Sequence, residues 1–170
     1  MRFLSTVRNR VGGSCLSLAL TLTAAWITPA AALMVRVTPE DSIQRSDLVI
    51  RGRALDQHCE WTADGDWIVT LVRIRVLETL GGQAPGDELV VRVLGGVLDG
   101  IGLSVSDMPT FAPDDESVLF LKKSDDGLVF TVIDNFQGKN TLVDGRVVER
   151  DLPESDFLNL VRAIARDRMR

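Results

Sequence analysis

Apolar residues alternate with polar ones along much of the chain, which is the pattern of half-buried β-strands. In the longest example, residues 67–80, one face carries Ile68, Val72, Ile74, Val76 and Leu80. The opposite face carries Arg73 and Arg75. The same period predicts further strands within residues 47–55, 88–94, 117–123, 128–133 and 140–150. Gly52 lies inside the first of them and predicts a bulge or a close approach of two backbones.

Turn signals separate the strands, and helical signals occur only near the two ends of the domain. Asp-Gly pairs at 64–65 and 144–145 are typical of hairpins, and residues 125–127 join two strands in the same way. Thr38 followed by Pro39 predicts a short helix that ends near Ser46. Residues 152–168 predict a second helix, whose apolar face carries Phe157, Leu160, Val161 and Ile164.

Strands joined mostly by short Gly/Asp turns indicate an antiparallel β-domain. With five principal strands, a small closed barrel removes exposed edges and still holds a filled core. We therefore predict a mainly β fold: a small antiparallel OB-like β-barrel with a short N-terminal helix and a C-terminal helix. A β-sandwich is the alternative.

The N-terminal residues predict export. The basic segment MRFLSTVRNR precedes an apolar run, and Ala30 and Ala32 occupy the small-residue positions of a signal-peptide cleavage site before Leu33. We predict a Sec-type signal peptide at 1–32, a single domain at 33–170, and a periplasmic or extracellular location. The alternative is an uncleaved anchor at 11–32, a length that can span a bilayer. After cleavage, we expect membrane contact only during export.

The net charge and the cysteine content limit which partners the protein binds and how its fold is stabilised. Cleavage removes three arginines and no acid, so the formal charge falls from −5 to −8 and 138 residues remain. An acidic surface argues against nucleic acid as a partner. Cys59 is the single cysteine of the mature chain, so no intrachain disulfide forms and burial holds the fold.

Three short motifs give the chain a resemblance to a known group. They are Ser46-Asp47-Leu48-Val49, Met108-Pro109-Thr110-Phe111 and Phe136-Gln137-Gly138-Lys139. With these the chain resembles a group of uncharacterised bacterial exported β-proteins. More remotely, its first predicted strand, residues 47–55, resembles the opening strand of the netrin-like OB barrel of tissue inhibitors of metalloproteinases. The resemblance implies an OB-type barrel and protein binding. The animal inhibitors chelate zinc through an N-terminal cysteine, whereas this mature chain begins at Leu33, so zinc-directed inhibition does not carry over.

The glycine-rich stretch at 94–111 is the first candidate for a site. It lacks the Lys-Ser/Thr of a phosphate loop and the full spacing of a nucleophile elbow. We interpret it mainly as a crossover between strands, with a lid over one barrel end formed by Val97, Leu98, Ile101, Leu103, Val105, Met108 and Phe111. The alternative is a ligand-contacting loop, for which the candidate residues are Gly96, Asp99, Gly100, Ser104 and Ser106.

Other reactive residues give weaker signals. His58 and Cys59 are adjacent, so on an extended strand they point to opposite faces and do not activate each other. The acidic runs at 64–66, 114–116 and 125–126 lack the spacing of a calcium loop. We expect no cofactor, no metal site and no catalytic residue.

The basic positions give a second candidate surface. If the first three strands are antiparallel neighbours, their outward faces gather Arg51, Arg53, Arg73, Arg75 and Arg92. Five like charges on an acidic domain suggest a docking face for an anionic partner, either an acidic protein segment or a cell-surface polysaccharide. The alternative is that neighbouring acids neutralise them.

Together these observations predict an exported, non-catalytic binding domain for a protein or cell-envelope partner. One alternative is a protease inhibitor or accessory partner of an exported enzyme, which follows only from the netrin-like resemblance. The other is a hydrolase acting through two carboxylates, which requires both to converge in one cleft.

Overall fold

The computed structural model describes residues 37–168 with the exception of residue 126. The predicted signal peptide at 1–32, its cleavage site and the alternative membrane anchor therefore lie outside the described residues. Among the helices in the described part of the chain, none is long and apolar enough to cross a membrane.

The described chain is mainly β, with one helix near each of its ends. The helices are α1 (Pro39–Arg45) and α2 (Glu154–Arg168), and a short 3-10 helix spans Asn135–Gly138. The first strands are β1 (Leu48–Trp61), β2 (Ile68–Gly82), β3 (Glu88–Leu94), β4 (Gly96–Leu98) and β5 (Ile101–Leu103). They are followed by β6 (Glu116–Lys123), β7 (Phe130–Val132), β8 (Lys139–Val143), β9 (Arg146–Val147) and β10 (Leu152–Pro153).

Five strands close into the predicted OB-like barrel. Their order is β1-β2-β3-β7-β6, and β6 returns to pair with β1. All neighbours are antiparallel except β3 and β7, which meet in parallel at Val91 and Phe130. Strands β8, β9 and β10 continue the sheet from β6, and β4 and β5 form a separate hairpin. The closed barrel confirms the predicted fold over the β-sandwich alternative.

The pairing of β1 with β2 is irregular at Gly52, where the sequence predicts a bulge or a close approach. The register shifts between Arg51 and Gly52, and the extra residue of this bulge is Leu77 of β2, opposite Gly52. A Cβ atom on Gly52 would lie 2.6 Å from Cγ2 of Ile74, so the two strands also approach closely there. Beyond Arg53, β1 leaves β6 and continues paired with β2 alone up to Trp61. The end of the β1–β2 ribbon is thereby free to form the floor of a cleft.

Two apolar clusters lie on opposite sides of the barrel wall. The inner cluster fills the barrel, whereas the outer cluster joins the barrel to α1 and α2. Strand β6 supplies both, with Leu119 and Leu121 inside and Val118 and Phe120 outside. Both faces of β6 are buried, so apolar side chains are needed at successive positions, and residues 118–121 therefore form one unbroken apolar run.

Two predicted apolar positions are wrong. Leu80 packs in the outer cluster instead of sharing the inner face with Val72 and Ile74. The reason is that β2 carries Leu77 as an extra residue opposite the Arg51–Gly52 step, and this bulge exchanges the two faces of β2 before Leu80. In α2, Leu160 is exposed, and Leu158 is buried in its place.

Local polar contacts fix both helices. The Thr38 hydroxyl accepts a hydrogen bond from the backbone amide of Asp41 at 3.2 Å, which is the predicted N-cap. Arg162 of α2 donates to both carboxylate oxygens of Glu78 in β2, at 2.9 and 2.8 Å. The Glu78 carboxylate has a lowered pKa, chiefly because Arg162 donates to it. This bidentate pair anchors the second helix against the barrel.

Candidate functional site

A cleft with a volume of about 440 Å³ opens where the β1–β2 ribbon, the end of β3 and the glycine-rich stretch meet. Its floor is formed by the end of the β1–β2 ribbon, where β1 no longer pairs with β6, and by the end of β3. Its wall is formed by the glycine-rich stretch at 94–111. The polar side chains that line it are those of Gln57, Cys59, Thr70, Ser104 and Thr110.

The glycine-rich stretch forms the β4–β5 hairpin instead of the predicted lid. Its turn lies at Asp99 and Gly100, whose φ angles of 51° and 80° suit a tight hairpin. Val97 and Ile101 are 70% and 54% exposed, so the prediction that they pack over the barrel end is wrong. Of the predicted lid, only Phe111 is buried in the core. The hairpin stands beside the opening as a wall.

Two glycines attach the hairpin to the cleft floor. The amide of Gly95 donates to the carbonyl of Ile68 at 2.8 Å, and the Thr70 hydroxyl donates to the carbonyl of Gly95 at 2.7 Å. Gly96 has a φ of 145°, and a Cβ there would lie 2.6 Å from Sγ of Cys59 and 2.7 Å from Oγ1 of Thr70. Only glycine fits this position without a shift of its neighbours.

Cys59 lies in the floor of the cleft, and His58 does not. The Cys59 thiol is half-buried, 3.4 Å from the Thr70 hydroxyl. His58 is exposed, with Nε2 3.9 Å from a carboxylate oxygen of Glu60. The structure therefore does not bring the two together. Within residues 37–168, leaving out 126, no three His, Cys, Asp or Glu side chains are placed to hold a metal ion.

The five candidate loop residues occupy different places. Gly96 and Ser104 line the cleft. Asp99 and Gly100 form the exposed tip of the hairpin, and Ser106 is exposed outside the cleft lining. Sequence reasoning missed three cleft residues, Gln57, Thr70 and Thr110. Their position in the cleft depends on which strands extend past the end of the barrel, and this is set by the tertiary fold.

The five arginines lie on three neighbouring antiparallel strands, as the alternation predicts. Acids from other elements lie among them. Arg51 contacts Glu116 and is 2.9 Å from a carboxylate oxygen of Glu154, and Arg53 is 3.0 Å from Glu116. Burial raises the pKa of Glu116, but donation from both arginines outweighs it, so that pKa lies below its ordinary value.

The arginines of β2 are paired as well. Arg73 donates to Asp56 and lies 3.8 Å from Glu88, which also receives a 3.3 Å contact from Arg75. The hydrogen bond that Arg73 donates to Asp56 raises the pKa of Arg73. Four of the five arginines are thus matched by carboxylates in the described structure. Such exposed pairs reduce the positive potential that a docking face needs.

Arg92 differs from the other four. It is half-buried in a groove of about 200 Å³ beside the seam between β3 and β7. Among the described residues, no carboxylate forms an ion pair or hydrogen bond with it. The groove is lined by Val69, Arg92, Val93, Leu94, Met108, Pro109, Thr131, Val132 and Asn135.

Two of the three motifs that carry the resemblance meet where Lys139 contacts Phe111. Lys139 is buried, with Nζ 3.2 Å from a carboxylate oxygen of Asp115 and 4.9 Å from the ring centre of Phe111. Burial raises the pKa of Asp115, but bonds from the Ala112 amide and from Lys139 outweigh it and leave that pKa lowered. These residues therefore tie the loop before β6 to the start of β8.

Comparison with known proteins adds no family. No protein-family model matches the chain. No curated protein matches it significantly either. The resemblance to exported and netrin-like proteins therefore stays a prediction.

Proposed function

We propose that this protein is an exported, non-catalytic binding domain that holds an extended segment of a protein partner in the cleft beside the β4–β5 hairpin. The observation that carries the proposal is the open cleft itself. Its volume of about 440 Å³ lies in the usual range for ligand pockets, which is roughly 300–1,000 Å³. A barrel end closed by a lid would offer no such space.

The lining supports a polypeptide as the ligand. Val97, Leu103 and Met108 supply apolar surface, and hydroxyl and amide side chains supply hydrogen-bonding groups between them. Specific sites combine mostly apolar walls with a few polar groups in this way. The lining residues include no Asp, Glu, His, Lys or Arg, so the cleft suits a neutral, partly apolar segment.

Exposed apolar side chains surround the cleft. Val97 lines the cleft from its hairpin wall and is 70% exposed. Side chains of β1 alternate, so Trp61 shares a face with Gln57 and Cys59, which line the cleft, and it is 40% exposed. Aromatic and aliphatic side chains at a rim are typical of the residues that anchor protein partners.

Two variants on one loop test the proposal. Ser104 lines the cleft and Ser106 does not, although both are exposed. We expect Ser104→Trp to fill the cleft and abolish capture of a partner by immobilised protein (residues 33–170) from an exported-protein fraction of its host. The matched Ser106→Trp variant retains capture. Equal capture by both variants, or no specific capture by the unmodified protein, would contradict the proposal.

A further inference from the structure

The groove beside the seam between β3 and β7 is held open by the barrel topology. Strand β7 meets β3 at a single residue pair, Val91 and Phe130. Beyond Val91, β3 continues for three residues, while the chain after β7 turns away into the 3-10 helix. The open groove is therefore bordered by Arg92, which lies on the outer face, and by Val93 and Val132, which belong to the inner cluster.

The unmatched guanidinium of Arg92 contrasts with the arginines on the neighbouring strands β1 and β2. The chain has 24 acidic residues against 19 lysines and arginines, so carboxylates are in excess. The neighbouring arginines on the same outer face, Arg73 and Arg75, each have one or more carboxylates within 4 Å. A half-buried charge loses part of its hydration, and a carboxylate compensates for that loss. In the described structure no carboxylate takes this place at Arg92.

We infer that Arg92 binds a carboxylate of the partner polypeptide, an Asp or Glu side chain next to an apolar residue that fills the groove. This inference rests on the proposed function. The groove and the cleft share Val93, Leu94, Met108 and Pro109 as lining residues, so they lie on either side of one short segment. One extended peptide can therefore occupy the uncharged cleft and present its acid to Arg92.

The chemistry fits a carboxylate of a polypeptide better than a polyanion. A guanidinium binds a carboxylate through two parallel hydrogen bonds, and Asn135 and Thr131 add neutral polar groups beside it. A polyanion needs a run of unmatched cations, whereas the four other arginines of this surface are already paired. A single free arginine in an apolar groove selects one acid with an apolar neighbour.

A positional-scanning library of N-acetylated, C-amidated octapeptides tests the inference, because its only carboxylates are those of Asp and Glu side chains. We expect the protein to select an acid at one position and apolar residues near it. Arg92→Gln should lose the acid preference and bind the best acidic peptide roughly tenfold more weakly, as for one lost hydrogen bond to a charged group. Arg92→Lys should keep part of the affinity.

Arg73→Gln is the matched control, since Arg73 lies on the same outer face but is already paired. It should bind the acidic peptide like the unmodified protein. Peptide binding without an acid preference, or an unchanged preference in Arg92→Gln, would overturn the role of Arg92 and leave the cleft proposal standing. Failure to bind any peptide would overturn both, as would Arg92-dependent binding of dextran sulfate in place of peptides.

Discussion

Gly96 provides the sharpest test of the cleft floor, through the substitution Gly96→Ala. The added Cβ would lie 2.6 Å from Sγ of Cys59 and 2.7 Å from Oγ1 of Thr70. The second contact is the harder to relieve, because the Thr70 hydroxyl is held by the carbonyl of Gly95 at 2.7 Å. The φ of 145° adds backbone strain for any residue with a Cβ.

The expected cost follows from these two effects. Overpacking a filled site costs about 1–3 kcal/mol, and a residue held in a rarely populated backbone region costs a further ~1–3 kcal/mol. We expect Gly96→Ala to lower the free energy of unfolding by about 2–4 kcal/mol, because the half-buried Cys59 can yield part of the space. That is a large share of the ~5–15 kcal/mol by which domains are stable.

Urea unfolding followed by circular dichroism measures this loss, with Gly102→Ala in the same hairpin as the control. A Cβ on Gly102 meets nothing closer than 3.9 Å, so that variant should stay within about 0.5 kcal/mol of the unmodified protein. Combining Gly96→Ala with Cys59→Ala should recover part of the loss, since the thiol is one of the two obstacles. Equal stability of the Gly96 and Gly102 variants would refute the reasoning.

Two further predictions concern the ion pairs below and beside the cleft. Lys139→Met removes the ion pair with Asp115 and the cation over the Phe111 ring, and we expect urea unfolding to show that the free energy of unfolding falls by about 1–3 kcal/mol. The control is Lys122→Met, which removes an exposed ion pair and should change the free energy of unfolding by less than ~0.5 kcal/mol. The lowered pKa of Glu116 contributes stability that is present above its unfolded-state pKa, near 4.5, and is lost as the pH falls through the folded value. Glu116→Gln should therefore flatten the fall in unfolding free energy below pH 4.5, and an unchanged pH profile would contradict the assignment.

Much of the strand pattern is local and could be predicted from the sequence. Strand β3 spans Glu88–Leu94, the same residues that alternation predicts, and the Asp-Gly pairs lie at hairpin turns. The extent of β1 could not be predicted, because residues 56–60 have no alternating apolar side chains and are held by pairing with β2. The parallel closure of β3 on β7 is set by tertiary packing.

One part of the candidate site could be predicted from the sequence, and another part could not. Alternation places five arginines on one outer surface, but it gives no information on Glu116 or Glu154, which lie at least 60 residues from Arg51 along the chain and reach it only in the folded barrel. Which arginine stays unmatched is therefore a tertiary property. Sequence reasoning could identify the surface, and only the fold separates Arg92 from the other four.

The exposure of the β4–β5 hairpin follows from how its base is attached. Glycine-rich apolar segments are typical of lids, and burial of Val97 and Ile101 was the simplest expectation. Two hydrogen bonds at Gly95 instead fix the base against Ile68 and Thr70, and the turn at the tip sends the chain back antiparallel. Because its base is fixed beside the cleft, the hairpin lines one side of the cleft and does not cover it. Its apolar side chains are left facing water, where a bound segment would cover them.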